Sequence, residues 1–104
     1  MNGYQVTFFT QQGRSIHGQP VGEWLIGLAK EMGLRGATLV AAAEGVGRSG
    51  KIHAAHFFEL NDQPVEVVTT VTTEEADRLF SRLQAEKLKI FYVKVPVEFG
   101  VVGD

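Results

Sequence analysis

Pro64–Thr72 reads PVEVVTTVT and runs directly into TEEADRLFSRL, Thr73–Leu83. Apart from Pro64 and Glu66, every residue of the first stretch is β-branched, a composition suited to a pleated, half-buried strand. The second stretch changes period. Ala76, Leu79, Phe80 and Leu83 recur at helical spacing, the pattern of a helix with one apolar face. At the junction Thr72 stands three residues before Glu75, the spacing of a capping box, with Thr73 as the other candidate cap. A strand that becomes a helix without an intervening loop is half of a β-α-β unit.

The first part of the chain has the same plan. In Tyr4–Thr10, YQVTFFT, Tyr4, Val6 and Phe8 share one face while Gln5 and Thr7 share the other, with Phe9 as an apolar exception. Gln11–Gln19 reads as a polar loop. Pro20 suits the first position of a helix, and Val21, Trp24, Leu25, Leu28, Ala29 and Met32 form its stripe. Gly33 can close that helix in a left-handed conformation. Ala37–Ala43, ATLVAAA, is apolar and bracketed by glycines, and it predicts a strand. Phe91–Val97, FYVKVPV, predicts the last strand, and Pro96 places its end at a sheet edge or a bulge. The order β-α-β-loop-β-α-β predicts an α+β fold, a ferredoxin-like β-α-β-β-α-β sandwich. Its antiparallel sheet carries both helices on one face. With 104 residues, of which 44% are hydrophobic, one domain spanning residues 1–104 is expected.

Composition narrows the function classes. A net charge of −2 opposes general nucleic-acid binding, which draws on a basic face. The absence of cysteine excludes disulfides, thiolate metal sites and cysteine catalysis. The N-terminus lacks a signal-peptide pattern and no apolar run reaches the ~20 residues of a membrane span, so a cytoplasmic protein is expected. Ser15, Ser49 and Ser81 have no nucleophile elbow or paired base around them. Arg14, in GRSIHG, invites comparison with the loop arginine of acylphosphatases, but no partner asparagine follows. No enzymatic activity is expected.

Glu44–His56, EGVGRSGKIHAAH, is the segment richest in chemistry. Gly45, Gly47 and Gly50 allow backbone N–H groups close to an anion, and Arg48 offers a bidentate partner for phosphate or carboxylate. The same glycines also suit a plain hairpin tip with Arg48 solvated. His53 and His56 motivate an alternative function as a divalent-metal-responsive accessory protein. On an extended chain, however, they point to opposite faces. Zinc would need further ligands, such as His17 or groups from another copy.

Gly36–His53, GATLVAAAEGVGRSGKIH, resembles the PII signalling proteins and, more closely, an uncharacterised PII-like family in which Gly-Ala-Thr leads to Gly-aromatic-Gly, then a basic residue and Ile-His. Ile16–Pro20, IHGQP, is similar to the entry to that family's first helix, and Lys89–Val95, KIFYVKV, resembles the last strand of PII. The resemblance implies a homotrimer that binds a small anionic effector, an adenine nucleotide or a bicarbonate-type anion, in clefts between subunits. No cofactor is required, and metal is not part of the implied site. A T-loop-like segment, residues 45–63, would change shape with the ligand and regulate a partner, a membrane transporter or an enzyme. The implied ligand-binding residues are Gly45, Val46, Gly47 and Arg48 at the T-loop base, Gly36 and Thr38 on the neighbouring subunit, and Lys89 at the phosphate. Several features depart from PII, the absence of T-loop tyrosines among them. Ala85–Leu88 is shorter than the glycine-rich phosphate loop, Val65 stands where a T-loop lysine is expected, and the C-terminal arginines have no counterpart. The lower cation count points to AMP, a cyclic nucleotide or bicarbonate rather than tightly held ATP.

Overall fold

A computed structural model describes residues 1–41, 44–46, 52–54 and 63–103, with backbone alone for 44–46 and 52–54. The Val/Thr-rich stretch is an inner strand of the main sheet. As β7 (Pro64–Thr72) it pairs antiparallel with β1 (Asn2–Gln11), from Gly3 opposite Thr72 to Gln11 opposite Pro64. β4 (Ala37–Ala41) lies on the far side of β7 and β8 (Phe91–Glu98) on the far side of β1, giving the order β4-β7-β1-β8. All three pairings are antiparallel. β1 and β4 are therefore parallel to each other, joined through α1 (Val21–Glu31), as are β7 and β8 through α2 (Thr73–Ala85). This is the predicted α+β, ferredoxin-like arrangement. The edge position of β8 accommodates Pro96, as expected for a residue without an N–H.

Burial alternates along β7, with Val65, Val67, Thr69 and Val71 covered. Val67 and Val71 meet Val6 and Phe8 of β1, the stripe Val21, Trp24, Leu25 and Leu28 of α1, and Ala76, Leu79 and Leu83 of α2. Each fully buried Val, Leu or Phe contributes roughly 1.5–3 kcal/mol. Phe80 adds rings to the open side of this core. It lies 5.9 Å from Phe8 and 4.8 Å, edge-on, from Tyr92. The Lys94 ammonium sits 4.4 Å from the Tyr4 ring centre and 5.4 Å from that of Phe80, a cation–π arrangement.

Glycine matters here chiefly as absent volume. A Cβ on Gly3 would fall 1.9 Å from the Val71 carbonyl oxygen, so β1 and β7 reach their separation only with glycine at that point. A Cβ on Gly22 would meet Leu39 at 2.9 Å and Val65 at 3.1 Å, which is where the first turn of α1 rests on the sheet.

Both helices end alike. Gly33, at φ 70°, closes α1 with bonds from Gly33 N to the Lys30 carbonyl and from Leu34 N to the Ala29 carbonyl. α2 repeats the pattern from Lys87 N to Gln84 and from Leu88 N to Leu83, but with Lys87 at φ 56° in the glycine position. These are Schellman motifs. At the other ends, Pro20 is the cap of α1 rather than its first residue. α2 has the predicted capping box: Glu75 N donates to Thr72 Oγ1 at 3.2 Å and Thr72 N donates to Glu75 Oε1 at 2.8 Å. The Thr72 backbone N–H holds the Glu75 carboxyl below its ordinary pKa against the opposing effect of burial, with Arg35, 2.9 Å away, acting in the same direction.

The polar loop predicted over Gln11–Gln19 contains more structure than its composition suggests. Ser15–Ile16 (β2) pairs with Gln19–Pro20 (β3) around a two-residue turn, with His17 at φ 51° and Gly18 at φ 78°. Two successive left-handed residues form a type I′ turn. Strands of two residues have no hydrophobic period to read, which is why the sequence shows only a loop. Glu44–Val46 (β5) and Ile52–Ala54 (β6) form a second short hairpin. Of the segment 45–63 expected to act as a T-loop, most lies outside the described residues, as do Ala42 and Ala43 of the predicted strand.

Replacing the cap, Thr72→Ala, is expected to lower stability by about 1 kcal/mol, the usual worth of such a residue. The contribution of Glu75, whose folded pKa is lowered, is present at neutral pH and disappears as the pH falls below about 4.3 toward the folded value. Melting curves of wild type and Glu75→Gln therefore converge in acid, and a gap that persists there would show the carboxylate's charge to be irrelevant. Gly3→Ala destabilises by about 1–3 kcal/mol through forced strand separation. Gly27→Ala, on the exposed side of α1 with open space at its Cβ, raises stability by about 0.4–1 kcal/mol. Chemical denaturation of the two variants reads opposite signs.

Candidate functional site

The register places several chain segments at one end of the sheet. Gln11 of β1 faces Pro64 of β7, Ala41 of β4 faces Val65, and Phe91 of β8 faces Phe9. The β2–β3 hairpin, the start and return of the segment between Ala41 and Gln63, and the turn from α2 into β8 therefore all open at this end. Gln12 N donates to the Gln63 carbonyl at 2.9 Å, tying the exit of β1 to the return of that segment.

The α2–β8 turn carries Lys89, whose side chain is exposed. The turn is fastened to the β2–β3 hairpin at two points. An Arg14 guanidinium N–H donates to the Lys89 carbonyl, and His17 Nε2 lies 2.6 Å from Glu86 Oε2. The other oxygen of Glu86 accepts from Arg82 Nε at 3.2 Å, and Arg82 reaches Glu31 of α1 at 3.7 Å. The hydrogen bond from His17, seconded by Arg82, holds the Glu86 carboxyl below its ordinary pKa. The His17 ring also lies 6.1 Å from that of Trp24. Sequence reasoning weighed Arg14 and His17 only for other chemistry. A contact between residues 14 and 89 leaves no local signal in the chain.

The other predicted residues divide into two groups. Gly36 precedes β4, and its carbonyl accepts a 2.6 Å bond from the Thr69 hydroxyl. Thr69, 4% exposed, is the buried polar side chain within the core of β7. Thr38, on β4, is exposed and lies opposite Val68, on the face away from the helices. Gly45 pairs with His53 and Val46 with Ile52 in the β5–β6 hairpin. Gly47, Arg48 and His56 lie outside the described residues, and so does the side chain of His53. β4 and β8 are opposite edges of the sheet, three strand spacings or about 14 Å apart. Within one chain, Gly36 and Thr38 therefore do not share a pocket with Lys89. Among the described residues no three of His, Asp and Glu are grouped to hold a metal ion, and no helix is long and apolar enough to cross a membrane.

The helix-free face of the sheet is largely apolar, with Glu66, Thr7 and Thr38 among its residues. Val40, Glu66, Phe9 and Phe91 form one cross-strand row, and Thr38, Val68, Thr7 and Val93 the next. Phe91 is 52% exposed, Val95 46%, Val40 43% and Val93 42%. The Phe9 and Phe91 rings meet at 5.6 Å. A contiguous exposed apolar surface is a candidate for contact with another molecule.

A UPF0166 protein of Aquifex aeolicus is 35% identical to this chain over 72 residues, 69% of each chain. Among solved structures, CPII of Thiomonas intermedia K12, a nitrogen regulatory PII-like protein bound to ADP, AMP and bicarbonate, superposes with a TM-score of 0.61. It is 20% identical, with 93% of this chain and 89% of that one covered. A protein of Thermus thermophilus described as PII-like and signalling gives a TM-score of 0.63 at 20% identity, covering 92% of this chain and 89% of that one. These likenesses identify the fold as PII-like. Residues 3–97 match the model of DUF190, the uncharacterized ACR family, and the chain belongs to that family.

Proposed function

We propose that this protein is a PII-like sensor and not an enzyme. It binds a small anionic effector between copies of the chain and passes the bound state to a partner through residues 45–63. The observation that carries this reading is the division of the candidate residues between two edges of one sheet. Lys89, at the β8 edge, belongs to one half-site, and Gly36 and Thr38, at the β4 edge, belong to another that a second copy supplies. The apolar helix-free face supports assembly, as a homotrimer, because burying it removes Val93, Val95 and Phe91 from water.

Anion recognition would rest on the backbone N–H groups of Gly45, Val46 and Gly47, on bidentate hydrogen bonds from Arg48, and on the Lys89 ammonium as a point charge. Thr38 of the adjoining copy would meet the other part of the effector. CPII, a protein of the same fold, binds ADP, AMP and bicarbonate, which supports an adenine nucleotide or a bicarbonate-type anion here. The short α2–β8 turn favours the smaller ligands of that set. For the effector to act as a signal it must bind the two states of the 45–63 segment with different affinity. The partner, a membrane transporter or an enzyme, would read that segment.

Calorimetric titration with ADP, AMP, cyclic AMP and bicarbonate tests the reading. Arg48→Ala is expected to weaken binding about ten-fold or more, the worth of a charge-assisted hydrogen bond, with the melting temperature of the free protein unchanged. Equal binding by Arg48→Ala would remove it from the site. Light scattering is expected to give a trimer mass, shifted toward monomer by Val93→Lys. A monomeric wild type would sink the shared-site reading.

A further inference from the structure

Among the described residues, His17 and Lys87 are the two that are not glycine yet have positive φ, at 51° and 56°. They occupy the two sides of one contact, since His17 reaches Glu86 and Lys87 follows Glu86 in the chain. A non-glycine residue in this conformation costs on the order of 1 kcal/mol, and such residues persist where their surroundings hold them. The α2–β8 turn is held throughout its length. Its start is closed by the Schellman bonds of Lys87 and Leu88, and Leu88 packs against the core beside Leu83. Glu86 is gripped by His17 and Arg82. Its end is clasped by Arg14 at the Lys89 carbonyl. Arg14 also accepts, through its own carbonyl, a 2.9 Å bond from Val21 N at the start of α1. The clasp is therefore anchored to the buried first residue of α1 rather than to a free loop.

From this geometry we propose that Arg14 and His17 are positioning residues. The β2–β3 hairpin is a brace that fixes the α2–β8 turn and so presents the Lys89 ammonium to the effector's anionic group in one preset place. The proposal rests on the assignment of Lys89 to the effector site made above. A turn fixed beforehand loses less conformational freedom when the anion arrives, so affinity rises without any added contact. Arg14 and His17 act through Lys89 and do not touch the effector.

A double-mutant cycle on the full chain reads this directly, with ADP, AMP and bicarbonate as the calorimetric probes. Arg14→Ala and His17→Ala are each expected to weaken binding about five-fold in the wild-type background. In the Lys89→Ala background neither has a further effect. His17→Gln, which keeps a hydrogen-bond donor for Glu86, restores most of the loss. Independently of any ligand, amide exchange at residues 88–90 is expected to quicken in Arg14→Ala while exchange in β7 stays slow. Unchanged exchange at 88–90, or an equal loss of affinity with and without Lys89, overturns the brace and leaves the sensor reading standing. Wild type that binds none of the three probes, or Lys89→Ala that binds as wild type does, overturns the assignment of Lys89 and the brace with it.

Discussion

The antiparallel register between β1 and β7 is the constraint on which the other elements depend. It places Val6 and Phe8 beside Val67 and Val71, so that two inner strands present one aliphatic and aromatic surface to the helices. A shift of one residue would send all of these side chains to the opposite face. Gly3 sets how closely the two strands approach at one end, and at the other the Gln12–Gln63 hydrogen bond continues the pairing beyond the strands. The edge strands β4 and β8, and with them the two groups of candidate ligand residues, are located relative to this pair.

The same register divides the sheet into a dry face and an open one. Helices α1 and α2 cover the first. The second carries Phe9, Phe91, Val93, Val95, Val68 and Val40, interrupted by Thr7, Thr38 and Glu66. Core packing by itself does not call for valine on a surface facing water. Its presence on one contiguous face ties the proposed assembly to the fold, because the surface proposed to bring copies together belongs to the strands that carry the proposed half-sites.

Much of the fold was legible because its elements are long enough to show a period. Pro64–Thr72 agreed with the predicted bounds, the Thr72–Glu75 capping box closed as read, and the stripe Val21, Trp24, Leu25, Leu28 and Ala29 is the buried face of α1. The β2–β3 hairpin escaped notice because its strands are two residues long and its turn uses His17 where a sequence rule looks for glycine or asparagine. The candidate site was legible only in part. Gly36, Thr38 and Lys89 were named from a resemblance, and their separation onto opposite edges follows from strand order. The clasp of Arg14 on a backbone carbonyl depends on the tertiary fold alone, since any residue can supply a carbonyl.

The hydroxyl of Thr69 has a consequence for β4. Ala37, Leu39 and Ala41 face the helices, and Leu39, seated against Gly22, is the one bulky side chain of the three. Hydrophobic matching therefore fixes the alignment of this strand through Leu39 alone. The 2.6 Å bond from Thr69 to the Gly36 carbonyl adds a directional criterion that a slipped strand does not meet, because the hydroxyl would then be left buried without its partner. Since a two-residue slip corresponds to about 7 Å of travel, this one polar contact works as an indexing pin. It keeps the point where the chain leaves for residues 45–63 at the same height in every copy, as any site shared between copies requires.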